Sequence, residues 1–177
     1  MRYQWFLLII CLFINSAQGA ANSSKHRSGG TSIYFTELGP LRHKAEAGDP
    51  NALFLLGNLY LSPPKNTSVR QNLKKAADYY FQAALREHAG AQYNLAVLYY
   101  RGSGIKESKM MATVWFRLAA NNGSPVAKNI KRNALKALSD IDGKLSSPEL
   151  EDVALWLGKY QTMIDKKDYR MARLPDL

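Results

Sequence analysis

Three stretches of the chain carry the same alternation of small, large and polar positions: ALFLLGNLY from Ala52, AQYNLAVLY from Ala91 and AKNIKRNAL from Ala127. Their apolar residues return every three or four positions, the period of a helix with one buried face. The starting alanines lie 39 and 36 residues apart, a spacing that marks a helical repeat array. Seven residues before each stands another alanine, Ala45, Ala84 and Ala120. Between them run the short corners EAGDPN, LREHAG and NNGSPV.

Two of these corners read Gly, then Asp or Ser, then Pro: Gly48-Asp49-Pro50 and Gly123-Ser124-Pro125. A glycine ends one helix in the left-handed conformation, Asp or Ser caps the next, and Pro occupies its first turn, where no donor is lost. The second helix of each pair aligns as well. Ala76 matches Ala112, Tyr79 matches Trp115, Tyr80 matches Phe116, and Ala83-Ala84 matches Ala119-Ala120. Asn72 and Ser108 stand as N-caps where those second helices should start. The pattern therefore predicts helical hairpins that nest through alanines, with Leu56, Tyr60, Leu95, Tyr99, Tyr79 and Trp115 filling the gaps between small neighbours. One hairpin cannot bury its own apolar face, so each must stack on the next and the array needs closed ends.

Residues A-x-x-x-L-G-x-x-Y, then G-x-G-[VI], then A-x-x-W-[YF]-x-x-A-A-x-x-G resemble the Sel-one-like repeat, a subfamily of the tetratricopeptide-like helical hairpins, over about Pro40 to Leu138. The sequence departs from that pattern in places. Ala96 replaces the glycine kept as Gly57, and Glu87 sits where Gly48 and Gly123 stand. SPPKNTS replaces the glycine loop of the first repeat, and Lys131 sits where Leu56 and Leu95 stand. The resemblance implies an all-α, short right-handed solenoid whose concave surface grips proteins or peptides, without cofactors. It also implies an exported bacterial adaptor or structural subunit in a hetero-oligomeric envelope assembly of the secretion, motility or host-entry type. A peptidoglycan-modifying enzyme, or a regulator of one, is the alternative.

Within that pattern, Phe54, Leu61, Tyr93, Asn94, Tyr100 and Arg101 occupy positions not spent on packing, and the resemblance makes them candidates for the partner groove. Lys128, Lys131, Arg132 and Lys136 form a basic stripe on one helix face, opposite Ile130, Ala134, Ala137, Leu138 and Ile141. Beyond Asp142-Gly143, Ser146 or Ser147 caps a further helix that Pro148 opens. Leu150, Val153, Ala154, Leu157 and Ile164 are expected to dock it on the third repeat, while Trp156 and Tyr160 are either packing or an exposed aromatic pair. The tail carries Tyr169, Met171, Leu174 and Leu177 among charges, and is expected to be disordered or to order on a neighbouring subunit.

The front end differs from the rest. Arg2 precedes an apolar run from Trp5 to Ile14, then small and polar residues ending in an A-x-G site, the pattern of a secretory signal peptide cut after Gly19. The run is shorter than the roughly 20 apolar residues a spanning helix needs. Domain limits follow: a signal peptide at 1–19, a flexible lead-in at 20–38, repeats at 39–141, a capping helix at 142–168 and a tail at 169–177. The resemblance and the leader together point to the periplasm or the outer membrane, with secretion beyond the cell as a further destination.

Composition adds three exclusions. Cys11 is the single cysteine and lies inside the leader, so the mature chain has no disulfide or thiolate chemistry. His26, His43 and His88 are scattered without the spacing of metal ligands. No Walker-type loop or nucleophile elbow occurs, so neither a catalytic residue nor a metal is expected. The chain has 24 basic and 14 acidic residues, a net charge of +10, and the leader takes away only Arg2. An exported protein of that charge meets acidic proteins, anionic glycan or lipid rather than nucleic acid. NSS at Asn22, NTS at Asn66 and NGS at Asn122 would accept glycans only in a eukaryotic secretory route.

Overall fold

A computed structural model describes residues 33–65, 67–141, 143–169, 172 and 174–175. The leader at 1–19 with Cys11, the first part of the lead-in with His26 and Asn22, Asn66, and tail residues Arg170, Met171 and Leu177 lie outside the described residues. All regular structure among the described residues is helical. It runs α1 (Ile33–Glu46), α2 (Pro50–Leu61), α3 (Leu73–Leu85), α4 (Ala89–Arg101), α5 (Lys109–Asn121), α6 (Lys128–Ile141) and α7 (Ser147–Lys166), with a 3₁₀ turn at Pro125–Ala127 before α6. The fold is a short helical solenoid. α1 begins inside the stretch expected to be a flexible lead-in, and Pro40 lies within it. Its last turn occupies the place that α3 and α5 hold in the later corners, so the array starts half a repeat early.

The helices start where the capping chemistry predicts. Asp49 accepts hydrogen bonds from the backbone N–H groups of Asn51 (2.8 Å) and Ala52 (3.3 Å). Asn72 accepts from Lys75 N–H (2.9 Å), and the Ser108 hydroxyl oxygen from Met111 N–H (3.1 Å). The hairpin loops are pinned alike in both repeats: Asn72 N–H donates to the Tyr60 carbonyl and Ser108 N–H to the Tyr99 carbonyl, each at 2.9 Å. At the start of α7 the Glu149 carboxylate accepts from both the N–H and the hydroxyl of Ser146, which pulls its pKa below the ordinary value.

The alanines sit where helices touch. Ala52, Ala76, Ala84, Ala91, Ala112, Ala120 and Ala127 are all buried, none more than 3 % exposed. Leu56, Leu95, Tyr99 and Trp115 are buried beside them, while Tyr60 and Tyr79 stack on each other at 5.6 Å near the surface.

The corners differ in a way the residue pattern does not show. At the first, Gly48 (φ 85°) sends its N–H to Ala45 and Asp49 sends its own to Lys44, a left-handed helix ending. Glu87 and His88 repeat this geometry at the second corner, bonding back to Ala84 and Ala83, with Glu87 at φ 61°. Glu87 thus does a glycine's work. An L-residue there loses about 1–2 kcal/mol against the right-handed form, and glycine gives some of that difference back through its freer unfolded chain. Glu87→Gly should raise stability by about 0.5–1 kcal/mol and the melting temperature by about 2–4 °C, as calorimetry would read.

The third corner corrects the expectation for Gly123 and Ser124. Gly123 is not left-handed, and Ser124 makes no side-chain cap. Asn122 closes the corner instead. Its amide donates to the Glu87 carbonyl (2.9 Å) and to Gln92 Oε1 (3.1 Å), and its Oδ1 accepts from Ser124 N–H. Gln92 is only 2 % exposed and donates in turn to the Ala84 carbonyl (3.1 Å). A polar chain therefore ties one corner to the next.

α7 does not dock as periodicity suggests. It packs mainly on α5 and reaches back to α3, rather than continuing the stack on the third repeat. Its buried residues are Val153, Tyr160 and Ile164, whereas Leu150 and Ala154 are exposed and Leu157 is half-buried. Tyr160 enters beside Trp115 (4.6 Å between rings) and Phe81 (6.0 Å), which meets Trp115 edge-on at 5.7 Å. Aromatic area sets the docking here, because these rings bury far more surface than the exposed leucine could. The tail follows the same direction: Tyr169 lies under the Arg86 guanidinium (4.7 Å), and Ala172 and Leu174 pack against the core of their own chain.

Candidate interaction surface

The six residues expected to line a groove separate into two groups. Phe54 stacks on His88 at 4.2 Å and tilts against Tyr80 at 5.9 Å, so it closes the second corner from inside. Tyr93 is half-buried against Phe116 (5.4 Å), and burial raises its pKa. Tyr80, wholly buried, donates its hydroxyl to Asn58 (2.7 Å) and is hydrogen-bonded by Asn94, which makes Asn94 an internal clamp. Leu61 is half-buried at the end of α2, with its carbonyl accepting from the Gln71 amide (2.9 Å). Only Tyr100 and Arg101 stand exposed, at the end of α4. The position-by-position likeness offered the other four as groove residues because the side chains and loop that engage them lie outside their own helix turn. Gln92 and Asn122 went unnoticed for the same reason. A signal existed at Gln92, which occupies the register of buried Leu53.

Of the aromatic pair on α7, Tyr160 is buried and unavailable to a partner. Trp156 is half-exposed, stacked on Tyr160 at 5.5 Å with the Lys159 ammonium over its face at 4.3 Å.

The basic stripe is a surface. Lys128, Lys131, Arg132 and Lys136 are all exposed on α6, while Ala134 and Ile141 are buried and Ile130, Ala137 and Leu138 half-buried on the other side. Leu135 (50 % exposed) lies between Arg132 and Lys136 along α6, and Val126 (88 %) lies in the turn just before the helix. Apolar side chains this exposed beside four positive charges make a patch suited to an acidic, partly apolar partner.

His88 serves the fold. Its Nδ1 accepts the Ala91 N–H (3.1 Å) as the N-cap of α4, and burial lowers its pKa below the ordinary value. The unfolded imidazole thus takes up a proton before the folded one. The stabilisation is complete above about pH 6.5 and is lost as pH falls toward the lowered folded value. Melting temperature should decline over that acid range, and His88→Asn, which keeps a capping oxygen, should flatten the decline.

Among the described residues no group of three or more His, Cys, Asp or Glu could hold a metal ion, and no helix is long and apolar enough to cross a membrane. The architecture is that of a helical-hairpin repeat protein that presents side chains on a rigid frame. The Sel1 repeat matches residues 50–88 and 89–124, so these two stretches are read as Sel1 repeats. Such repeats generally mediate protein–protein interaction and are non-catalytic scaffolds. A protective antigen of uropathogenic Escherichia coli with an SLR fold is similar over 81 % of this chain and 32 % of its own, at 22 % identity and a TM-score of 0.55. A Sel1 repeat protein from Oxalobacter formigenes matches 76 % of this chain and 65 % of its own, at 23 % identity and a TM-score of 0.47. This chain therefore spans about a third of the first structure's length and under two thirds of the second's.

Proposed function

We propose that this chain is an exported, non-enzymatic binding subunit of a multiprotein cell-envelope assembly of the secretion, motility or host-entry type. Its exposed face on α6 docks an acidic protein partner. The observation that supports this reading most is the joining of Lys128, Lys131, Arg132 and Lys136 with exposed Leu135 on a helix whose other side is held in the core, with exposed Val126 in the turn before it. A leader at 1–19 and the net charge of +10 agree with an exported protein meeting anionic partners. The test is co-purification from solubilised envelope with wild-type chain and with Lys128, Arg132 and Lys136 changed together to glutamate. Partner recovery should fall at least about tenfold while helicity is unchanged, and the wild-type association should weaken with salt. Equal recovery by both proteins at low and moderate salt would remove α6 from the interface.

A further inference from the structure

Two grooves occupy equivalent places one repeat apart, and among the described residues only the second has part of the C-terminal tail lying along it. The second is bounded by Lys74, Asp78, Phe81 and Gln82 on α3 and by Gly102, Gly104, Ile105 and Lys106 in the loop before α5. The C-terminal residues Ala172, Leu174 and Pro175 lie along it and form one of its walls. The first is bounded by Leu38, Gly39 and Arg42 on α1, Tyr60 on α2, the loop from Ser68 to Asn72, and Lys75 on α3. Repeat spacing maps Arg42 onto Phe81 and Arg70 onto Lys106. Both floors are therefore built from the second helix of one repeat and the hairpin loop of the next.

The lining charges differ. The second groove has Lys74 and Lys106 offset by Asp78, whereas Arg42, Arg70 and Lys75 line the first with no carboxylate among the described residues of its walls. Its shape is set by the fold rather than by a ligand. Gln71 Nε2 holds the loop to the Leu61 carbonyl and Asn72 N–H holds it to Tyr60. The Tyr60 ring, stacked on Tyr79 and with the Lys75 ammonium 5.3 Å from its centre, gives the groove a flat apolar wall.

We propose that the first groove is a binding site for an extended acidic peptide segment of a partner protein, carrying carboxylates toward Arg42 and Arg70 and an apolar residue onto Tyr60. Ala172, Leu174 and Pro175 show that the equivalent groove accepts small and aliphatic side chains. The cations select acidic character for the first, since guanidinium groups pair carboxylates in a planar fork. A second copy's tail is the wrong occupant. The side chains of DKKDYRMARLPDL sum to one positive charge, Lys166, Lys167, Arg170 and Arg173 against Asp165, Asp168 and Asp176, so that segment lacks the acidic excess that Arg42, Arg70 and Lys75 call for.

This inference rests on the reading of the chain as a binding array but names a different surface from α6, so the two fail separately. The probes are two fluorescein-labelled synthetic peptides of the same length that alternate leucine with glutamate or leucine with lysine. Fluorescence anisotropy should show binding of the glutamate peptide and none of the lysine peptide. Arg42→Glu with Arg70→Glu should weaken the glutamate peptide at least about tenfold. Measured in the background of the triple reversal on α6, so that the α6 patch does not capture the peptide, Lys106→Glu in the second groove should leave its affinity unchanged. Amide shifts in NMR spectra should cluster at Tyr60 and Ser68–Asn72. No binding of the glutamate peptide, equal binding of both peptides, shifts confined to α6, or binding of phosphatidylglycerol vesicles in preference to the peptide would each overturn the proposal. Loss of partner recovery with the α6 variant alongside any of these results would leave the general binding role standing and this groove without one.

Discussion

Trp115→Ala is expected to cost about 3–5 kcal/mol, the range for truncating a fully buried large aromatic residue. That is a large share of the roughly 5–15 kcal/mol that separates folded from unfolded states in domains of this kind. Trp115 is wholly buried where α5 meets both α3 and α7, with Phe81 edge-on and Tyr160 tilted against it. Its removal leaves a hole that three separate helices would have to move to fill. One term works the other way: the Trp115 Nε1–H and the Tyr160 hydroxyl have no hydrogen-bond partner among the described residues. Trp115→Phe removes that unmet donor while keeping most of the ring, so it should cost far less than alanine. Urea unfolding followed by circular dichroism measures both. In the alanine variant α7 should also become sensitive to limited proteolysis ahead of the repeats, because Tyr160 loses its main seat. A loss below about 1 kcal/mol would mean that the site collapses freely, against the packing described.

Gly57→Ala is the second large effect, and its sign runs against local propensity. In an exposed helix interior alanine is better than glycine by about 1 kcal/mol. Here an added Cβ would lie 2.5 Å from the Tyr80 ring carbons. The ring cannot swing aside, since it is wholly buried and its hydroxyl donates to Asn58 while Asn94 bonds it from α4. Overpacking of this kind costs about 1–3 kcal/mol, so the net change should be destabilising. The second repeat supplies the comparison, with Ala96 in place of Gly57 and Phe116 in place of Tyr80. A phenyl ring has no hydroxyl to anchor it. A double-mutant cycle of Gly57→Ala with Tyr80→Phe should therefore show the two changes together costing less than their sum, whereas simple additivity would separate the glycine from the tyrosine.

The parts of the fold that were legible in sequence are those decided within a few residues or by a repeating register. Asp49, Asn72 and Ser108 cap because their oxygen acceptors lie two or three residues from the N–H groups they serve. The alanine contacts follow from offsets that recur, and all seven are buried. Long-range choices were not legible. Periodicity on α7 gave two neighbouring faces, and which one turned inward depended on Trp115 and Phe81, more than thirty residues away in sequence. Phe54, Tyr93 and Asn94 resembled groove residues because the rings that claim them, His88, Phe116 and Tyr80, lie on or beside other helices. Glu87 shows the limit from the other direction: the missing glycine was visible, yet the backbone kept the left-handed turn, with the Asn122 amide holding its carbonyl. The basic stripe was readable because exposure on α6 follows directly from amphipathic spacing.

The central claim is that this chain works as a stoichiometric binder through the surfaces its nested hairpins display. A photoreactive residue placed at Lys131 in intact cells, followed by identification of the adduct and the mass of the purified complex, tests it most directly. One envelope protein captured in fixed ratio, and lost when Lys128, Arg132 and Lys136 become glutamate, is the predicted result. Absence of any protein adduct, together with release of wall fragments by the purified chain, would contradict it.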